Sequence, residues 1–284
     1  MGPWRRGAER AFASAVSPPP LSRLTGWLAD RHLPSAILGP LIRTYARVYG
    51  VDLAEAAEPV AAFRTFNAFF TRGLRDGARP IDPRPGVVTS PSDSRLSDIG
   101  AVPADGRIEQ VKGETYGLDA LLGSPEEAEP YRGGHHATLY LSPGMYHRVH
   151  APVGGRILGW RYAPGRLFPV NPPAVRSIPG LFTRNERVIV FLEAEDLGPV
   201  ALVLVGAANV GRITLRFTTL VTNAGAAGGR AQPSAPLPVR RGEEIGAFNL
   251  GSTVVLLVAD SALSPADVRP GALVRVGEAL WRRG

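Results

Sequence analysis

Apolar positions in the first 80 residues recur at helical spacing. Leu21, Leu24, Trp27 and Leu28 form one set, with Arg23 and Arg31 elsewhere on the turn. Leu41, Ile42, Tyr45, Val48 and Tyr49 form a second, flanked by Arg43 and Arg47, and Val60, Phe63, Phe66, Phe70 and Leu74 a third. Prolines at 18–20, 34, 40 and 59 predict that these helices are short, because proline lacks the amide hydrogen a helix interior requires. From about residue 86 the period shortens. Val87-Val88, Thr138–Leu141, Val188–Leu192, Val200–Val205, Ile213–Leu220 and Val254–Val258 are β-branched or apolar runs between Gly/Pro turns, which predicts strands. Residues 222–240, rich in Ala, Gly and Pro, read as a loop between the last strands. The expected fold is α+β: short helices over residues 1–80, then a mostly antiparallel β core over 81–284, sandwich or barrel-like.

Composition adds limits to that picture. The 284 residues are 44% apolar and 20% charged, enough for a real core, and 33 Gly with 27 Pro demand many turns. The net charge of +7 rests on arginine, since Lys112 is the only lysine. Arginine grips phosphate with paired hydrogen bonds, so nucleic acid and anionic lipid headgroups both stay open as partners, although a genome-wide preference would give the same bias. With no cysteine, disulfides, iron–sulfur clusters and thiol nucleophiles are excluded. No apolar run has the length of a spanning helix, and Glu9 and Arg10 interrupt any signal-peptide core after Arg5 and Arg6. The chain is expected to stay in the compartment where it is made. Basic helices bearing Trp, Leu and Ile can lie in a headgroup layer, but composition alone favours packing of their apolar faces on the rest of the protein.

Candidate chemistry lies in two places. Tyr146-His147-Arg148-Val149-His150 follows a predicted strand and a Ser-Pro-Gly turn. Without cysteine or an HExxH pattern, these histidines suit acid–base work better than metal binding, and no metal is expected. His135 and His136 read as residues of a solvated loop. The second place is Leu250-Gly251-Ser252-Thr253, directly before the run Val254–Val258. It can be a plain turn into a strand. It can also be a bond primed for self-cleavage, because glycine leaves its carbonyl unshielded beside the next residue's hydroxyl.

Several segments, in order, carry a resemblance. They are Phe66-Asn67-Ala68-Phe69-Phe70-Thr71-Arg72, then Gln110-Val111-Lys112-Gly113 with Tyr116, Leu118 and Leu121-Leu122-Gly123. Next come Tyr140-Leu141-Ser142-Pro143, Tyr146–Pro152 and Gly165-Arg166-Leu167-Phe168-Pro169-Val170-Asn171-Pro172. Asn185-Glu186-Arg187, Val205-Gly206-Ala207 and Asn209-Val210-Gly211 precede the terminal Leu250-Gly251-Ser252-Thr253. From about residue 60 onward the sequence resembles the phosphatidylserine decarboxylase family, whose members cleave themselves and depend on a pyruvoyl group.

The resemblance implies that Ser252 attacks the Gly251 carbonyl. The ester then breaks down to leave a β chain, 1–251, and an α chain, 252–284, that stay associated, the α chain headed by a pyruvoyl cofactor derived from Ser252. A serine hydroxyl needs a base. The resemblance assigns that role to His150, oriented by Asp93, and makes His147 the proton donor of decarboxylation. Asp93 is followed by Ser94 where the family usually has glycine. Pro103-Ala104-Asp105-Gly106 looks more like the expected motif, but counting back from Gln110 favours Asp93.

The implied substrate is phosphatidylserine, at an anionic membrane surface, and it reverses the reading of the N-terminal helices. Trp27, Ile37, Leu38, Leu41 and Ile42 are expected at the interface of a peripheral protein on the cytoplasmic face of the cell membrane. Nucleic acid is not expected as a partner, and a homodimer is left open. The rival readings are a pyruvoyl decarboxylase of another amino compound and a non-catalytic lipid-binding relative.

Overall fold

The computed structural model describes residues 26–111, 113–208, 212–249 and 252–284. Its centre is a nine-stranded sheet. In spatial order the strands are Gly229–Ala231, Gly155–Ala163, Arg187–Ala194, Gly198–Gly206, Ser252–Val258, His135–Leu141, Ser94–Ala101 and Leu273–Val274, with Leu237–Val239 also paired to Gly155–Ala163. Neighbours are antiparallel throughout. The strand that begins at Ser252 runs through the middle of this sheet.

Both faces of the sheet are buried, which explains why its strands read as continuous apolar runs. Val254, Leu256 and Val258 point into one core with Leu202, Leu204 and Val190. Val255 and Leu257 point into the other, with Val203, Val205 and Ile189. Two three-stranded antiparallel sheets cover the first face. One joins Val87–Thr89, Ala279–Arg283 and Leu263–Pro265, and the other joins Arg212–Leu215, Glu244–Asn249 and Arg148–His150. Short helices at Leu118–Leu122, Pro172–Ser177 and Leu181–Arg184 contribute to the second core, with the hairpin Arg107–Val111/Glu114–Gly117. The class is α+β as expected, with sheet-on-sheet packing on one face and helices on the other. No sheet among the described residues closes into a barrel.

Several local expectations need correction. The helices beyond residue 80 were not foreseen; each is too short to display a helical period. The strand expected over Ile213–Leu220 ends at Leu215, and the loop expected over 222–240 contains two short strands. His135 and His136 are not in a solvated loop. They open a central strand and are buried, His136 paired with Asp98 at 2.9 Å.

The predicted helical pattern over residues 1–25 lies outside the described residues. Beyond it, Ser35–Tyr49 is one helix, ended by Gly50 in the left-handed conformation at φ 68°, whose amide bonds back to Ala46. Pro40 sits inside this helix rather than ending it. The segment is held by packing, because Leu38, Ile42 and Ala46 form a small core with Val51 and Phe69. Leu38 and Ile42 are therefore not interface residues, as the sequence suggested; they face inward at 1% and 0% exposure. Ile37, Leu41 and Val48 occupy the opposite, exposed side. The third helical pattern resolves into a turn at Val60–Ala62 and a helix at Phe66–Phe70 capped by the Thr65 hydroxyl.

Candidate active site

Ser252 is the first described residue of the central strand, paired with Gly206 on one side and Leu141 on the other. Its side chain is wholly buried, and Oγ has no hydrogen-bond partner among the described residues. The flanking Gly206 is held from outside the sheet. Its amide donates to the Glu186 carbonyl at 2.8 Å, and its carbonyl accepts from Asn185 Nδ2 at 2.8 Å. Asn185 also bonds the Phe168 amide and carbonyl, at 3.0 and 2.9 Å. Next to it, Arg187 spends its guanidinium on the carbonyls of Leu121, Thr183, Asn185 and Ala120. The Asn-Glu-Arg motif is thus a clamp for the strand end beside Ser252. The carboxylate of Glu186 completes it by accepting from the Tyr162 hydroxyl and from the Asn223 amide.

Leu141, the other neighbour of Ser252, leads into the turn Ser142-Pro143-Gly144-Met145, which delivers His147. Gly144 is required there: a Cβ would stand 2.2 Å from the Tyr49 carbonyl oxygen, at the end of the Ser35–Tyr49 helix. The Tyr45 hydroxyl donates to the Pro143 carbonyl at 2.8 Å from the same helix.

His147 is fully buried and stacks on Phe70 with ring centroids 4.0 Å apart. Its Nδ1 lies 2.8 Å from the Met145 carbonyl, which can only accept, so Nδ1 carries the proton and Nε2 the lone pair. That Nε2 is buried without a partner among the described residues. Burial pushes the imidazole pKa down to about 3, helped by the nearby Arg72 charge and opposed by the Met145 bond. His150 is arranged in the same way. Nδ1 donates to the Gly242 carbonyl at 2.8 Å, and Nε2 accepts from the Tyr146 hydroxyl at 3.1 Å. Burial again lowers its pKa. Burial thus disfavours the charged form of both rings, and in each the proton sits on Nδ1.

The pairing sets their places. His150 lies opposite Glu244, whereas the His147 carbonyl accepts from the amide of Phe248, nearer to Ser252 along the chain. Ser252 pairs with Leu141, and the turn that follows Leu141 leads to His147.

Asp93 calls for a correction of geometry. Its carboxylate does not hold His150. It is gripped by Arg79, through Nε at 2.9 and 3.0 Å and Nη2 at 2.6 Å, and it accepts from the Val276 amide at 3.0 Å. Its segment reaches His150 through the backbone, the His150 amide donating to the Pro91 carbonyl at 2.8 Å. Arg79 also pairs with Glu55 at 2.8 Å, which links this network to the N-terminal region. Asp105 is exposed, and its carboxylate accepts from the Arg107 amide in its own turn. Gly251 lies outside the described residues. Sequence reasoning gave no role to Phe70, Arg79, Tyr146 or Asn185, all of which support the site. Phe70, Tyr146 and Asn185 stood within motifs noted above, but nothing local shows what they touch.

A buried serine at the head of a strand, together with two histidines protonated on Nδ1, is a set of groups able to serve proton transfer and nucleophilic attack. Comparison with known proteins makes the class specific. The family model for phosphatidylserine decarboxylase matches residues 66–282. The chain is 46% identical over 283 residues to the phosphatidylserine decarboxylase proenzyme of Anaeromyxobacter sp. (strain K), covering 96% of this chain and 98% of that one. It is 44% identical to the proenzyme of the same name from Marinobacter nauticus, covering 92% and 93%, and 42% identical to that of Pseudomonas fluorescens, covering 92% of each. The chain belongs to the phosphatidylserine decarboxylase family.

Proposed function

We propose that this chain is a proenzyme that cleaves itself between Gly251 and Ser252 and then decarboxylates phosphatidylserine to phosphatidylethanolamine. The observation that carries the reading is the Ser252 hydroxyl, buried and unpartnered at the head of the central strand. A polar group in such a place is costly unless it has work to do. His150 Nε2 is the proposed base for its attack, with Tyr146 and the Asp93–Arg79 network as its supports.

The residues present fit a pyruvoyl group made from Ser252, since position 252 is enclosed and its Oγ and the His147 Nε2 are both buried without a partner among the described residues. Such a group supplies an electron sink for the pair left when carbon dioxide departs. The protein's share is proton handling. Burial favours the neutral imidazole of His147, with Nε2 unprotonated. It would act at Nε2 as the relay that delivers a proton to the substrate carbon, once a proton had been supplied to it. After cleavage the strand Ser252–Val258 stays paired on both sides with β-chain strands, which keeps the two chains together.

The N-terminal region, about residues 1–80, is proposed to dock on the cytoplasmic face of an anionic membrane, with 81–284 as the catalytic domain. No described helix is long and apolar enough to cross a membrane. Trp27, Leu28, Ile37, Leu41 and Val48 are 46–69% exposed, with Arg31, Arg43 and Arg47 exposed among them. Apolar side chains with interleaved arginines suit a headgroup layer. The Ser35–Tyr49 helix also abuts the Ser142–Met145 turn, so the proposed lipid-facing element touches the segment that delivers His147.

Intact-mass measurement of purified protein tests the central claim. Two chains are expected, the smaller starting at residue 252 with a blocked N-terminus, while Ser252→Ala stays whole. Wild type that remains one chain and still decarboxylates would refute the mechanism.

A further inference from the structure

Two arginines are buried among the described residues, and they are treated differently. Arg187 directs its nitrogens to four backbone carbonyls, as a structural arginine does. Arg72 is 5% exposed and meets no carboxylate within salt-bridge distance among the described residues. Its Nη2 reaches the Gly144 carbonyl at a long 3.4 Å, and its Nε is sealed from solvent without a partner. Glu55 and Asp93, the carboxylates whose charge bears on Arg72, are already paired with Arg79. The ring of Phe69, 5.2 Å away, offsets only part of the loss of hydration. A buried guanidinium that cannot be deprotonated and lacks its anion is a site for one.

We propose that Arg72 binds the phosphodiester of the phospholipid headgroup and so sets headgroup recognition; this rests on the function proposed above. Place supports it. Arg72 touches the Ser142–Met145 turn at Gly144, the residue against which Tyr49 packs at the end of the exposed helix. It also lies close enough to His147 for its charge to bear on that ring. A headgroup entering from the helix side therefore meets Arg72 beside the reacting end.

Chemistry chooses between the two anions of the headgroup. A guanidinium on the carboxylate would stabilise the charge that must be lost, favouring the ground state over the transition state. On the phosphodiester it binds a group that is unchanged from substrate to product. The planar fork of arginine matches two phosphate oxygens, which lysine cannot reproduce.

The test is steady-state kinetics of matured wild type, Arg72→Gln and Arg72→Lys on phosphatidylserine in mixed micelles, with phosphatidylethanolamine as competing product. The product keeps the phosphodiester and lacks the carboxylate. Arg72→Gln should raise KM and the product inhibition constant together, by about tenfold or more, with kcat changed by less than about twofold. Arg72→Lys should recover part of both. An unchanged KM overturns the proposal. So does a raised KM with unchanged product inhibition, which would place Arg72 on the carboxylate, and so does a loss confined to kcat. If neither variant self-cleaves while wild type does, Arg72 is structural and the proposal fails. Wild type inactive on phosphatidylserine would instead sink the underlying function.

Discussion

The side-chain amide of Asn185 donates a 2.8 Å hydrogen bond to the carbonyl of Gly206, the residue that pairs with Ser252 across the sheet. One buried amide thus holds the backbone beside the proposed nucleophile. Asn185→Ala leaves that carbonyl buried without its donor, a loss of about 1–3 kcal/mol. Self-cleavage should slow markedly and the melting temperature should fall. A time course on denaturing gels checks the first, and cleavage at the wild-type rate would show that the clamp does not position Ser252.

The two histidines should separate two reactions. His150→Ala is expected to block cleavage, because the serine loses its base. His147→Ala should still cleave but lose most decarboxylation, because the carbanion loses its proton source. Gel analysis and carbon dioxide release measure the two steps independently. Equal cleavage defects in both variants would end this division of labour.

Burial of His147 also has a thermodynamic signature. Its folded pKa of about 3 lies below the ordinary 6.5, so between these values the unfolded chain binds more protons than the folded one. The associated stability is present above pH 6.5 and is lost as pH falls toward 3, at up to about 1.4 kcal/mol per pH unit for one group. His150, lowered for the same reason, acts with the same sign. Ser252→Ala precursor should melt at a lower temperature at pH 5 than at pH 7, and adding His147→Asn should flatten that dependence. An unaltered slope would mean that His147 does not titrate on unfolding as a buried neutral ring must.

Asp93 should matter through Arg79. Asp93→Asn weakens a charge-assisted pair that ties residues 79, 93 and 276 together, and cleavage should be poor. Arg79→Gln should reproduce the defect, whereas Asp105→Asn, which alters one exposed turn, should cleave normally. A defect in Asp105→Asn alone would identify the wrong aspartate.

Membrane docking should depend on Trp27 and on the exposed side of the Ser35–Tyr49 helix. Replacing Trp27, Ile37 and Leu41 by serine should reduce flotation with phosphatidylserine vesicles and leave melting and self-cleavage near wild type. Ile42→Ala should do the reverse, costing about 2–5 kcal/mol of stability through a core cavity. Flotation should also weaken in high salt, since the arginine contribution is screened and the apolar one is not. Full flotation of the serine variant would place docking elsewhere.

The sequence by itself determined the centre of this protein. A strand buried on both faces must be apolar at every position, so Val188–Leu192, Val200–Val205 and Val254–Val258 announced themselves, and Gly251-Ser252 marked where the last of them begins. Helical spacing likewise showed an apolar stripe near residue 41. Leu41 and Ile42 are equally apolar neighbours, however, and only packing against Phe69 made Ile42 core and left Leu41 exposed. Tertiary structure also decided that Asp93 pairs with Arg79 instead of His150, that His147 seats on Phe70, and that Arg72 is buried without an acid. Local pattern reports which side chains avoid water. Which charge meets which partner depends on segments far apart in the chain, and their approach is set by the fold as a whole.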